Sequence, residues 1–186
     1  MQTLNIKSPV DEATIKNLRA GDQVLIRGVI YVARDEAHMR MVDALDRGKP
    51  LPFALKGQTI YYMGPAPANP GQVIGSAGPT TSGRMDAYSP RLLAEGLKVM
   101  IGKGRRSQAV KYAIKKYRAV YLAATGGAGT LISKSIKKAE VIAYPELGAE
   151  AVLRLEVEHF PAVVVNDIYG GDLYQEGQAK YRRTVQ

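Results

Sequence analysis

Cysteine is absent from all 186 residues. That excludes disulfides, and it excludes zinc or iron–sulfur sites ligated by cysteines of this chain, so any such cluster has to come from elsewhere. Tryptophan is absent too, phenylalanine occurs twice, and the eleven tyrosines are scattered rather than set in base-stacking pairs. Acid is scarce relative to base: 26 Lys and Arg against 17 Asp and Glu give a formal charge of +9, which favours an anionic partner. Nucleic acid is the usual first reading of such a charge, but few residues here could stack on bases; a small dicarboxylate or an acidic protein fits as well. No apolar run approaches the roughly 20 residues of a membrane helix. Residues 1–10 alternate polar and apolar without the basic-then-apolar order of a secretory signal. The expectation is a cytoplasmic chain with no membrane and no nucleic-acid role. Only two histidines occur, His38 and His159, too far apart for metal-ligand spacing, and no metal site is expected in this chain.

What is present points to one α/β domain over residues 1–173, followed by a polar, basic tail over 174–186 that frays or packs on a partner. The chain opens with a strand over 2–7, then Ser8 as N-cap and Pro9 as first-turn proline of a helix reaching Leu18. A strand over 24–33 is interrupted at Gly28, where a bulge or a tight approach is expected. A helix over 36–47 follows, then a strand over 58–63 and a loop with three prolines. From Met85 the rhythm is regular: helix 85–95, strand 98–102, helix 108–117, strand 119–123, a glycine-rich turn 126–129 and a helix 130–133. Strands over 136–143, 152–157 and 162–167 close the chain. Alternating apolar strands and amphipathic helices make a mixed, partly parallel sheet flanked by helices, with ligands at the carboxyl ends of its strands.

The stretch Gly75–Asp86 concentrates glycines, the hydroxyls of Thr80, Thr81 and Ser82, and the cation of Arg84, a combination suited to a small anion. A plain Gly/Pro turn is the simpler reading of the same composition. It is not a Walker loop, because no Gly-Lys-Ser/Thr follows at the required spacing. Arg34, Arg84 and Lys103 each stand beside a strand end. A mixed set of Arg and Lys suits a dicarboxylate, since Arg grips a carboxylate through paired N–H bonds while Lys acts as a point charge. Asp35 and Asp86 read as capping or structural acids.

Four collinear motifs carry a resemblance: Ile30 to His38, Gly78 to Asp86, Lys103 to Ser107, and Tyr144 to Ala151. The chain resembles the C-terminal domain, or separate β subunit, of class I iron–sulfur-dependent fumarate hydratases, a family that shares its architecture with tartrate dehydratases. The resemblance implies a swivelling β/β/α domain that closes over a [4Fe–4S] cluster bound by the cysteines of an α subunit, in an α/β hetero-oligomer. It implies reversible hydration of fumarate to (S)-malate, with Thr80 as the base that removes the C3 proton and Arg34, Arg84 and Lys103 as contacts to the substrate carboxylates. Two departures bear on substrate preference: Glu36 stands where a small residue is expected, and Arg105 where asparagine is common. A tartrate dehydratase β subunit and a non-catalytic anion-binding domain are the alternatives.

Overall fold

The computed structural model describes residues 3–125 and 127–182. One mixed sheet of seven strands runs through the molecule: β1 (Thr3–Ser8), β2 (Gln23–Val32), β3 (Thr59–Tyr61), β4 (Val99–Gly102), β5 (Val120–Ala123), β6 (Ile136–Ala143) and β7 (Val152–Asn166). β1 to β5 pair in parallel, while β7 runs antiparallel to β2, β5 and β6. β1 and β3 share one edge of β2, and β7 takes the other. Because β7 also pairs with β5, the strands β2, β3, β4, β5 and β7 form a closed ring.

Period-two alternation divides the ring's side chains between two apolar layers. Ile26, Ile30, Tyr61, Ile101, Leu122 and Phe160 belong to the inner cluster, which also takes in Ile15 and Leu18. Their sequence neighbours Ile60, Tyr62, Met100 and Tyr121 pack outward in a second cluster. That second cluster receives the apolar faces of α2 (Asp35–Asp46), α3 (Ser89–Ala94) and α4 (Gln108–Tyr117). A mixed, partly parallel sheet flanked by helices is therefore what the sequence folds into.

Local differences from the sequence reading have specific causes. The first helix, α1 (Glu12–Asn17), is capped by Asp11, whose carboxylate accepts from the Thr14 N–H at 2.7 Å. Ser8 is instead buried, its Oγ donating to Thr59 Oγ1 at 3.0 Å. The single helix expected over 85–95 is two pieces, a 3₁₀ turn Ser82–Met85 and then α3, in which Pro90 occupies the first turn and supplies no N–H to an earlier carbonyl. The two strands expected over 152–157 and 162–167 are one, β7, bent at exposed His159, whose φ is +52°. That bend lies opposite the register shift between Ile26 and Gly28, where a Cβ on Gly28 would stand 2.4 Å from the Ser8 carbonyl oxygen. Bulge and tight approach coincide there. α5 (Gly129–Lys134) follows the glycine-rich turn, of which Gly126 lies outside the described residues. In the expected tail, residues through Tyr181 belong to α6 (Leu173–Tyr181), and 183–186 lie outside the described residues.

Candidate active site

Three parallel strands, β2, β3 and β4, end side by side, and the loop from Pro79 to Met85 is laid across their carboxyl ends. Backbone hydrogen bonds fix it there: the Thr80 N–H donates to the Tyr62 carbonyl at 2.8 Å, the Lys103 N–H to the Thr80 carbonyl at 3.2 Å, and the Ser82 N–H to the Lys103 carbonyl at 2.9 Å. Thr80 is thus held like a residue of an added strand between β3 and β4. The carboxyl edge of parallel strands, where backbone and helix starts converge, is the customary ligand position in α/β sheets.

Arg84 returns from the 3₁₀ turn toward Thr80, and its Nη2 donates to Thr80 Oγ1 at 3.0 Å and to Asp35 Oδ2 at 2.7 Å. Asp35 Oδ2 is also 3.7 Å from Arg34 Nε. Arg34, directly after β2, donates from Nη2 to Glu150 Oε1 at 3.2 Å, and the other oxygen of Glu150 accepts from the Glu36 N–H at 3.1 Å. The guanidinium of Arg34 lies over Gly64, where a Cβ would come within 2.7 Å of Nη1, so a larger residue there would displace the guanidinium. Three of the four residues singled out from sequence are therefore brought together, Arg84 and Arg34 at the Asp35 carboxylate and Thr80 through its bond to Arg84. Lys103 joins by its backbone; its ammonium is exposed and has no hydrogen bond or ion pair among the described residues. Glu36 points away, pairing with Arg40.

Beneath this cluster lies a buried polar network. The Arg106 side chain is fully buried, with Nε donating to Asp86 Oδ1 at 2.7 Å and Nη2 to Ser89 Oγ at 2.6 Å. Its Cζ lies 5.3 Å from the ring centre of Tyr62 and 4.9 Å from that of Tyr121. Asp86 Oδ2 accepts from the Ser107 N–H at 2.6 Å, where α4 begins. Ser82 Oγ and Tyr121 Oη are 2.9 Å apart, and that Oη donates to the Gly104 carbonyl. Burial pushes the Tyr121 phenol well above its ordinary range, so it serves as a neutral hydrogen-bonding group. The loop 78–86 is thereby anchored to buried groups at its middle, Ser82, and at its end, Asp86.

Sequence reasoning treated Asp35 as a capping or structural acid and gave Glu150 and Arg106 no role. Asp86 does act structurally. Asp35 is the carboxylate between the two arginines, and its position directly after Arg34 was the available signal. Glu150 lay inside the Tyr144–Ala151 motif. Among the described residues no group of three or more His, Asp or Glu could hold a metal ion.

A family model described as Fumarase C-terminus matches residues 1–177. The chain is 41% identical over 177 residues to Fumarate hydratase 2 of Leishmania major, covering 93% of this chain and 31% of that protein. It is 41% identical over 179 residues to the aerobic class I fumarate hydratase of Escherichia coli strain K12, covering 94% of this chain and 33% of that enzyme. The chain thus spans about a third of the length of these relatives. The putative L(+)-tartrate dehydratase subunit beta of Methanocaldococcus jannaschii is 38% identical over 172 residues, with 89% of this chain and 88% of that protein covered.

Proposed function

The chain belongs to the Fumarase C-terminus family, and from that premise we propose that it is the β subunit of a two-subunit hydro-lyase that interconverts fumarate and (S)-malate. The observation that carries this reading is the hydrogen bond from Arg84 Nη2 to Thr80 Oγ1 at the carboxyl edge of the sheet. A threonine hydroxyl is too weak a base at neutral pH. A full positive charge and an N–H donor at 3.0 Å favour negative charge on that oxygen. In the dehydration direction, Thr80 Oγ1 first loses its hydroxyl proton to solvent and, as the alkoxide held by Arg84, takes the proton from the carbon beside one substrate carboxylate. The electron pair left behind delocalises onto that carboxylate, where Arg84, Arg34 and Lys103 stabilise the added charge more than they stabilise the ground state. It then forms the C=C bond as the neighbouring C–O bond breaks and hydroxide leaves. In hydration the same oxygen returns the proton.

The family's [4Fe–4S] cluster does not fit this chain's own side chains, since the sequence has no cysteine and the described residues hold no cluster of three or more His, Asp or Glu that could bind a metal. The proposal assigns the cluster to an α subunit, against which this domain closes and excludes water from the proton transfer. Nearly end-to-end similarity to a chain named as a tartrate dehydratase β subunit supports a second reading, in which the substrate carries an additional hydroxyl. The test is to co-express the chain with its α subunit, purify anaerobically and assay fumarate, malate and tartrate. Thr80→Ala is expected to lower kcat by at least about 100-fold, the scale of a positioned proton-transfer group, with a much smaller change in KM. An unchanged kcat removes Thr80 from the base role.

A further inference from the structure

Asp35 is the first residue of α2, yet its carboxylate is turned toward the loop that carries Thr80, and the first turn of α2 is capped instead by the distant Glu150. Oδ2 receives Arg84 Nη2 at 2.7 Å, and the same nitrogen is 3.0 Å from Thr80 Oγ1. That oxygen also faces Arg34 Nε at 3.7 Å. The backbone at Asp35 has φ +21°, outside the regions that residues with a Cβ ordinarily occupy. The deviation occurs where the chain turns from Arg34 into α2, and it accompanies a side chain placed between two guanidinium groups.

Arg84 needs such a partner. Its side chain is 49% exposed, and a long exposed arginine samples many rotamers unless two acceptors fix the guanidinium plane. Thr80 Oγ1 is one acceptor and Asp35 Oδ2 the other. We propose that Asp35 is a positioning residue, acting through Arg84: it holds Nη2 on Thr80 Oγ1 and leaves the remaining Arg84 donors, which have no partner among the described residues, for a substrate carboxylate. The inference rests on the reading of Thr80 and Arg84 as the proton-transfer pair. It extends that reading by making the geometry of the pair depend on a third residue, 49 positions away from Arg84 in sequence.

Two measurements test it. In the full chain labelled with ¹⁵N-arginine, the Arg84 Nη signals are expected to be resolved and slow to exchange. Asp35→Ala should collapse them, with Asp35→Asn, which keeps an acceptor oxygen and the side-chain volume, intermediate. In the complex with the α subunit, Asp35→Ala should lower kcat tenfold or more, and adding it to Arg84→Ala should cost nothing further. Unchanged Arg84 signals in both Asp35 variants overturn the proposal, and so do losses in kcat that multiply in the double variant. Should Thr80→Ala and Arg84→Ala leave turnover intact, the active-site reading fails, while the Arg84 signals still decide whether Asp35 holds that guanidinium.

Discussion

His38 is an uncharged imidazole in the folded chain at neutral pH. Its ring is fully buried one turn beyond Arg34, edge-on to Tyr62 at 5.2 Å, and burial together with the nearby Arg106 cation pushes its pKa from 6.5 down to about 3. In the unfolded chain the imidazole titrates near its ordinary value. Between about pH 6.5 and 3 the unfolded state therefore binds a proton that the native state refuses, and stability falls as pH falls through that window. The full effect is of order 5 kcal/mol. Asp11, Glu146, Glu156 and Asp172 have lowered pKa values too, but from a lower starting range, so their contribution is lost at more acid pH. Urea unfolding at pH 7, 6 and 5 should show a steady loss, and His38→Leu should flatten it. An equal slope in the variant would show that the imidazole is not the titrating group.

At the scale of elements, β2 and β7 depend on the contact at Gly28. Its φ is +103° and a Cβ would stand 2.4 Å from the Ser8 carbonyl oxygen, on the parallel neighbour β1. Gly28→Ala adds a left-handed penalty of roughly 1–2 kcal/mol and forces β1 away. The melting temperature should fall by roughly 2–8 °C, read by calorimetry. A variant that melts with the parent would show that β1 can shift without loss. Elements with a complete local signal were legible in the sequence. α4 runs from Gln108 to Tyr117 as expected from the sequence, and the structure adds Ser107 as its cap, the side chain accepting from the Val110 N–H. The break between the 3₁₀ turn and α3 was not legible, because Asp86 and Ser89 are both held by Arg106 from a distant segment. Likewise nothing local told that β7 would bend through His159 instead of stopping, since the bend is accommodated by the register shift against β2.

As a whole molecule the chain has no cysteine with which to bind an iron–sulfur cluster. A domain that supplies the proton-transfer half of an elimination and none of the cluster's ligands should be inactive alone. Anaerobic co-purification with the α subunit should give a brown complex that hydrates fumarate. Robust hydratase activity from the isolated chain would overturn the two-subunit reading. The described residues contain no helix long and apolar enough to cross a membrane.

Residue types and their local order determined by themselves the alternation of strands and helices, the absence of cysteine ligands, and the concentration of hydroxyls and cations around Gly78–Asp86 and after β2. These follow from periodicity, composition and capping, which act over a few residues. Only the tertiary structure decided that β7 closes the strands into a ring, that the loop of Thr80 lies across the ends of β3 and β4, and that Asp35 stands between Arg34 and Arg84. Those outcomes join segments tens of residues apart. A carboxylate that caps a helix and one that bridges two arginines are the same residue type in sequence, and the folded neighbours alone distinguish them.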